Sequence, residues 1–407
     1  MTQKYIVPSI IVSTIAMVAH ANWRDAREAA LRLPSGHGPV SAHAGVEATT
    51  RADLQRTVTT MEGRLQKWPS DNDAAVRLAS ALVRLQRVNS DASAVIKAEQ
   101  YLRAVLSRVP AHYEAQRMLG TVLLSQHRFR DAIREAERAR DMEPRDAWNY
   151  GVLGDAHLEL GEYADAFAAF DRMSQLRPGP TTYARVAYAL ELKGDLDGAL
   201  ASMKMAADGT SAHDAEGQAW HYAQLGNLLL QLGRVGDAKR EFERAAYTFP
   251  DHPYAMGGLA KVKVAVGDLT GALSMYSRLL AKHATPELAA IVGDLHMQLR
   301  DPQRAEEMYI MAEKLEREGW ATEEPQPQAL ARFLAERNRS IPEAVRLAEE
   351  AAARRCDIFT MDALAWAYFK AGRLDDARRA AEAAMRTGTR DRTIVAHAEA
   401  IRSAVQS

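Results

Sequence analysis

The sequence predicts an all-α fold, in which antiparallel helix pairs stack into a solenoid. The first observation is a repeat, because Pro144 and Pro178 close successive segments of similar pattern at a spacing of 34 residues. The second is composition, since the segments between turn signals are rich in Ala, Leu, Arg and Glu, which favour helices. A single helix pair cannot bury its apolar face, so neighbouring pairs must stack to complete the core.

The stretch 147–178 carries the repeat most clearly. Aromatic, aliphatic and small residues stand in it at the positions of a repeat, namely Tyr150, Leu153, Gly154, Ala166 and Phe170, before the closing Pro178. This spacing resembles the tetratricopeptide repeat (TPR), with an aromatic residue in the place of its usual Trp. The resemblance implies a right-handed α-solenoid of stacked antiparallel helix pairs, the TPR superhelix, in which the first helix of each pair lines a concave groove.

Units of this kind divide the chain. Residues 51–112 are predicted to form divergent N-terminal helical repeats, and 113–315 the clear TPR array. Helix breakers and a divergent helix pair in 316–357 interrupt the array, and 358–407 form a last TPR and a capping helix. The insertion 208–217 lengthens the link between two successive repeats, and its role is left open.

A glycine with positive φ is predicted at the turn inside five pairs. These glycines are Gly161, Gly194, Gly233, Gly267 and Gly372.

Residues 1–21 have the layout of a secretory signal peptide. Lys4 precedes an apolar run, and Ala19 and Ala21 occupy the −3 and −1 positions of a cleavage site. We therefore expect export, with no membrane insertion after cleavage. An uncleaved N-terminal anchor and a buried first helix are the alternatives. The helix breakers in 22–50 predict a linker.

Cysteine content and charge narrow the location and the class of partner. Cys356 is the only cysteine of the sequence, which excludes an intramolecular disulfide. Export without disulfides is more typical of a Gram-negative periplasm than of a eukaryotic extracellular space, so the periplasm is the expected location. The formal net charge is −1, so nucleic acid is not an expected partner.

The sequence contains no catalytic motif. The HExxH, GxSxG and P-loop patterns are all absent. His157 and His296 fall at a packing position of the repeat, where a role between helices is expected and a metal site is not. We therefore expect no enzyme activity, no catalytic residue, no cofactor and no metal.

The resemblance places a set of side chains in the concave groove. The predicted partner-binding residues are Trp148, Asp155, Tyr188, Trp220, Asn227, Tyr254 and Lys261. The four aromatic residues among them are additional to the packing aromatics of the motif, and exposed rings of this kind favour contact with a partner. The alternative is that these rings pack between neighbouring first helices or against the N-terminal segment.

One known mode of TPR recognition is not expected. TPR domains that bind the acidic C-terminal tail of a chaperone use a set of Lys and Asn side chains, the carboxylate clamp. Asn227 stands at a suitable position, but Ala223 occupies the place of the preceding basic residue.

These observations predict a non-enzymatic scaffold or adaptor that binds a protein or peptide partner in its groove, in the bacterial envelope. The alternative is an accessory subunit that docks an envelope enzyme, such as a glycosyltransferase or a polysaccharide synthase. An enzyme built on a helical cleft has the least support, because the repeats leave no segment for a catalytic domain. The partner, the pathway and the oligomeric state are not indicated.

Overall fold

The computed structural model describes residues 50–89, 92–320 and 325–406. The predicted signal peptide 1–21 lies outside these ranges, as does all of the predicted linker except Thr50. Within them the chain forms twenty helices and no strand, which confirms the predicted all-α solenoid. None of these twenty helices has both the length and the apolar character that a membrane span requires.

Nine helix pairs make up the stack, with one single helix before them and one after. The helices are α1 (Arg51–Lys67), α2 (Asn72–Asn89), α3 (Ala92–Arg108), α4 (Tyr113–Ser125), α5 (Phe129–Met142), α6 (Ala147–Glu159), α7 (Tyr163–Leu176), α8 (Pro180–Leu192), α9 (Leu196–Gly209), α10 (Ala215–Gln231), α11 (Val235–Thr248), α12 (Pro253–Ala265), α13 (Leu269–Lys282), α14 (Pro286–Gln298), α15 (Pro302–Gly319), α16 (Pro327–Glu336), α17 (Ile341–Ala352), α18 (Ile358–Lys370), α19 (Leu374–Ala384) and α20 (Arg392–Gln406). Each pair from α2–α3 to α18–α19 packs its two helices together.

The turn inside each pair follows from local chemistry. All five glycines predicted to have a positive φ do so, with values between 74° and 81°. Where the turn lacks glycine, His127 and Arg300 adopt the same left-handed conformation. Asp195, Asp268 and Asp301 then cap the next helix, each accepting a hydrogen bond from the backbone N–H three residues on.

Large rings fill the spaces between neighbouring pairs. Phe242 on α11 is fully buried and lies against Gly226 of α10 and Gly258 of α12. Phe170 on α7 lies against Gly154 of α6 in the same way. In these pairs a ring from the second helix takes the room that a missing Cβ leaves on a first helix, which allows a repeat without a large core to pack tightly.

Gly258→Ala is expected to lower the free energy of unfolding by about 1–3 kcal/mol, because the added methyl group would overlap the buried Phe242 ring. Gly257→Ala in the same helix is the matched control, because nothing lies within 4 Å of a Cβ added there. That change should stabilise the helix by up to about 1 kcal/mol. Urea unfolding followed by circular dichroism measures both. Equal effects at the two positions would contradict this packing.

The C-terminal part of the stack closes onto its middle. The Cys356 N–H donates to the carbonyl of Leu160 at 3.1 Å, and the Ile358 N–H donates to the Tyr163 hydroxyl at 2.9 Å. The Arg392 guanidinium donates to the carbonyl of Gln231 at 3.0 Å. The ninth pair and α20 therefore contact the third and fifth pairs, and the superhelix encloses its own axis.

The N-terminal part closes as well, through the 208–217 insertion. Arg87 of α2 pairs with Glu216 at 2.6 Å, and Arg84 pairs with Asp214. His283 of α13 contacts the carbonyl of Asn89 at 3.2 Å. The insertion thus makes a contact of its own, which joins the first pair to the fifth.

Side chains bridge the predicted interruption of the array. α15 ends at Gly319 and α16 begins at Pro327. Across this junction Arg337 pairs with Asp294 at 2.6 Å, and Arg339 pairs with Glu306 at 2.7 Å. The stack therefore continues through ionic contacts where the repeat pattern is weakest.

Candidate binding cavity inside the superhelix

Closure of the superhelix surrounds a cavity of about 750 Å³. Its walls come mainly from the first helices of five successive pairs, α8, α10, α12, α14 and α16, and residues from 355–359 and 391–392 complete them. This volume is in the range that holds an organic ligand or a short piece of polypeptide.

One face of α10 supplies the most polar wall. Trp220, Gln224, Asn227 and Gln231 follow one another at spacings of three or four residues, so they share a face of the helix. All four line the cavity. The face therefore presents an indole and three carboxamides in a row.

A chain of hydrogen bonds orients these carboxamides. The Lys261 ammonium donates to Asn227 Oδ1 at 2.9 Å, and Asn227 Nδ2 donates to Gln224 Oε1 at 3.3 Å. Gln224 Nε2 and Trp220 Nε1 are then left as buried donors without an acceptor among the described residues. Trp220 is only 8% exposed, so the unpaired indole N–H lies in a largely desolvated wall.

Glu191 of α8 provides a half-buried carboxylate beside this wall. Gln231 Nε2 donates to Glu191 Oε1, and Tyr188 lies one turn earlier on α8. Burial, together with the nearby negative charge of Asp391, raises the pKa of Glu191 to about 7. Burial also lowers the pKa of Lys261 to about 8, against the opposing effect of Glu191.

Ion pairs connect α14 to α16 in another part of the lining. Arg337 pairs with Asp294 at 2.6 Å and with Glu336 at 3.1 Å. Arg332 pairs with the same Glu336 at 2.8 Å. These four side chains bind one another across the junction of the seventh and eighth pairs.

Four of the seven predicted partner-binding residues line this cavity, and three do not. The structure brings together Tyr188, Trp220, Asn227 and Lys261. Trp148, Asp155 and Tyr254 lie elsewhere. The role of all seven in partner binding stays a prediction.

The three residues outside the cavity make contacts within the fold. Trp148 Nε1 donates to the Thr121 hydroxyl at 3.0 Å. Asp155 is buried and pairs with Arg185 at 2.7 Å, and burial raises its pKa to about 7. The Tyr254 ring lies 5.6 Å from that of His252.

Further residues of the site were not predicted from the sequence. Helical spacing was a usable signal for Gln224 and Gln231, which follow Trp220 on one face of α10, and for Glu191, which follows Tyr188 in the same way. No spacing in the sequence connects Arg355 and Asp391 to the predicted site residues, because only closure of the superhelix brings them to the cavity.

One group of side chains among the described residues has the spacing of metal ligands. His157, Glu162 and Asp165 place their ligand atoms within 4.8 Å of one another. Glu162 is already occupied, because it contacts His157 at 2.7 Å and pairs with Arg130 at 2.6 Å. The cluster lies at the turn between α6 and α7 and is not among the residues lining the cavity.

Comparison with known proteins agrees with this architecture. Residues 117–180 and 229–295 each match a family model described as tetratricopeptide repeat, so these two stretches contain TPRs. The Hsp70-Hsp90 organizing protein of wheat (Triticum aestivum) is 36% identical over 73 residues. That match covers 18% of this chain, and the chain spans only 13% of the length of that relative.

Solved structures resemble the whole stack. Human IFIT1, as a dimer with PPP-AAAA, has a TM-score of 0.52 at 16% identity, covering 83% of this chain and 79% of the other. Yeast Tom70 has a TM-score of 0.44 at 17% identity, covering 87% and 86%. The helix stack and the two matched stretches together define the protein as an α-solenoid that contains TPRs.

Proposed function

We propose that the protein is a non-enzymatic scaffold that holds an extended peptide segment of a protein partner in its central cavity. TPRs support a protein-interaction role, because stacked repeats build a long binding surface from small units. The observation that carries the proposal is a pair of buried donors, Trp220 Nε1 and Gln224 Nε2, for which the described part of the chain supplies no acceptor.

A peptide main chain matches these donors. Trp220 and Gln224 are four residues apart on α10, so their N–H groups lie on one face of the helix. A buried donor left without a partner costs about 1–3 kcal/mol, and a ligand carbonyl would recover that cost. An extended polypeptide offers one carbonyl per residue, and the Tyr188 and Trp220 rings offer apolar contact for its side chains.

Charge argues against nucleic acid as the ligand. The human IFIT1 structure contains PPP-AAAA. In this protein the cavity lining includes eight acidic side chains but five Lys and Arg side chains. A chain of phosphates would meet net repulsion there, because nucleic-acid affinity depends on neutralising phosphates with Lys and Arg.

Trp220→Phe is expected to weaken peptide binding by about 2- to 10-fold, the effect of losing one hydrogen bond while the apolar ring is kept. Selection from a random peptide library on the full chain supplies the ligands, and fluorescence anisotropy measures their affinities. Trp148→Phe is the matched control, because Trp148 donates to Thr121 and lies outside the cavity. Failure to select any peptide would overturn the proposed function, as would equal losses in the two variants.

We also propose that the scaffold works in the bacterial envelope. The support is the signal-peptide pattern of residues 1–21 in the sequence. Cell fractionation with N-terminal sequencing tests it, and the expected result is a periplasmic chain that begins at Asn22. A chain that starts at Met1 in the cytoplasmic fraction would contradict it.

A further inference from the structure

We infer that the peptide segment in the cavity carries a basic side chain, Lys or Arg, which pairs with Glu191 and Asp391. This inference rests on the proposed function, because it names the chemistry of the segment that the cavity holds. It follows from the ionic contacts that the residues lining the cavity make with one another.

Glu191 has no cationic partner of its own. Its carboxylate accepts a hydrogen bond from Gln231, and among the described residues no Lys or Arg nitrogen lies within ion-pair distance of it. Lys261 is near enough to influence Glu191, but its ammonium is directed to Asn227 Oδ1 at 2.9 Å. A carboxylate that is partly removed from water without a counter-charge is destabilised, and a ligand cation would lower that cost.

Asp391 brings a second carboxylate to the same region from the far end of the chain. Asp391 Oδ1 accepts from the backbone N–H groups of Thr393 at 2.9 Å and Ile394 at 3.1 Å, at the start of α20. It forms no ion pair among the described residues, and it lines the same cavity as Glu191, where its negative charge contributes to the raised pKa of Glu191. Two carboxylates that repel each other form a natural site for an ammonium or a guanidinium group.

The cations nearest to these carboxylates are engaged elsewhere. Arg392, next to Asp391, donates to the carbonyl of Gln231 at 3.0 Å. Arg332 acts on Asp391 at a distance but pairs with Glu336 at 2.8 Å. The region around Glu191 and Asp391 therefore lacks a counter-charge of its own.

Four of the six other carboxylates that line the cavity already pair with an arginine. Arg337 pairs with Asp294 and with Glu336. Arg355 pairs with Glu159 at 3.0 Å and with Asp357 at 2.6 Å. Glu191 and Asp391 thus differ from these four paired carboxylates, and a single basic side chain could bind both of them.

The surrounding side chains fit such a residue. Tyr188 lies three positions before Glu191 on α8, so its ring and the carboxylate share a face of the helix. The alkyl part of Lys or Arg packs on an aromatic ring while its charged end reaches a carboxylate. The free donors of Trp220 and Gln224 remain available to the main chain of the same peptide.

The test uses peptides selected from a random library on the full chain. We expect the enriched peptides to carry Lys or Arg at a common position, and replacing that residue with Ala should weaken binding about 10-fold or more. In Glu191→Gln, the enrichment of Lys or Arg should disappear, and replacing the basic peptide residue with Ala should no longer weaken binding. The effects of the protein change and the peptide change on affinity are therefore not additive. Asp391→Asn, which keeps a helix-capping side chain, serves as a second variant if the first fails to fold. Glu382→Gln on the exposed face of α19 is the control and should change nothing.

The possible outcomes distinguish a failure of this inference from a failure of the proposed function. Enriched peptides without a basic residue would overturn this inference and leave the peptide cavity intact. The same holds for basic peptides that bind Glu191→Gln and Asp391→Asn as well as the unaltered chain. If no peptide is enriched, the proposed function itself is wrong, and this inference with it.

Discussion

Arg355→Met is expected to lower the free energy of unfolding by about 3–5 kcal/mol, because it leaves the buried Asp357 and the partly buried Glu159 without their shared cation. Arg355 is only 12% exposed and pairs with Glu159 at 3.0 Å and with Asp357 at 2.6 Å. Its guanidinium also lies 5.2 Å from the centre of the Phe129 ring. The side chain thus joins the second, third and ninth pairs, so its loss should also open the cavity.

Arg354→Met is the matched control for this prediction. Arg354 is the adjacent residue, it is 52% exposed, and it pairs with Glu350 on the surface. Its replacement should change the free energy of unfolding by no more than about 0.5 kcal/mol. Urea unfolding measures both variants, and small-angle X-ray scattering should show a larger radius for Arg355→Met. Equal stability and equal radius in the two variants would show that this contact does not hold the superhelix closed.

Glu216→Gln is expected to cost about 3–5 kcal/mol at neutral pH, by breaking a buried ion pair and leaving Arg87 without its partner. Glu216 is fully buried, 2.6 Å from Arg87 and 3.5 Å from Arg84. The contact joins α2 to the start of α10, so the first helix pair should separate from the stack before the rest unfolds. Hydrogen exchange resolved along the chain measures this local loss. Glu243→Gln on the exposed face of α11 is the control.

The same carboxylate predicts a dependence on pH. Burial alone would raise the pKa of Glu216, but the attraction of Arg87 and the other partners outweighs it and lowers the pKa from 4.5 to about 2. Between these values the unfolded chain binds more protons, so the contribution to stability is complete above about pH 5 and is lost as the pH falls towards 2. The stability difference between Glu216→Gln and the unaltered chain should therefore shrink over this range. A constant difference would contradict the ion pair.

Much of the site was accessible from helical spacing once the repeat was identified. Trp220 and Asn227 share a face of α10 because they are seven residues apart, and that relation holds in any α-helix. The same rule placed Trp148 and Tyr254 on first helices, but it could not separate a side chain that lines the cavity from one that packs against a neighbour. Trp148 reaches Thr121 because of how α4 and α6 pack, and spacing within α6 carries no information about that.

The sequence alone determined the helix pairs, their turns and the residues that pack one pair on the next. The positive φ of Gly161 and the contact between Phe170 and Gly154 both arise within one repeat, so a local pattern encodes them. Only the tertiary structure decided that the superhelix closes and that Glu191, Asp391 and Lys261 surround one cavity. Arg355 and Glu159 are 196 residues apart, and Arg87 and Glu216 are 129 apart. Whether such residues meet depends on small rotations added over several repeats, and no single repeat encodes that sum.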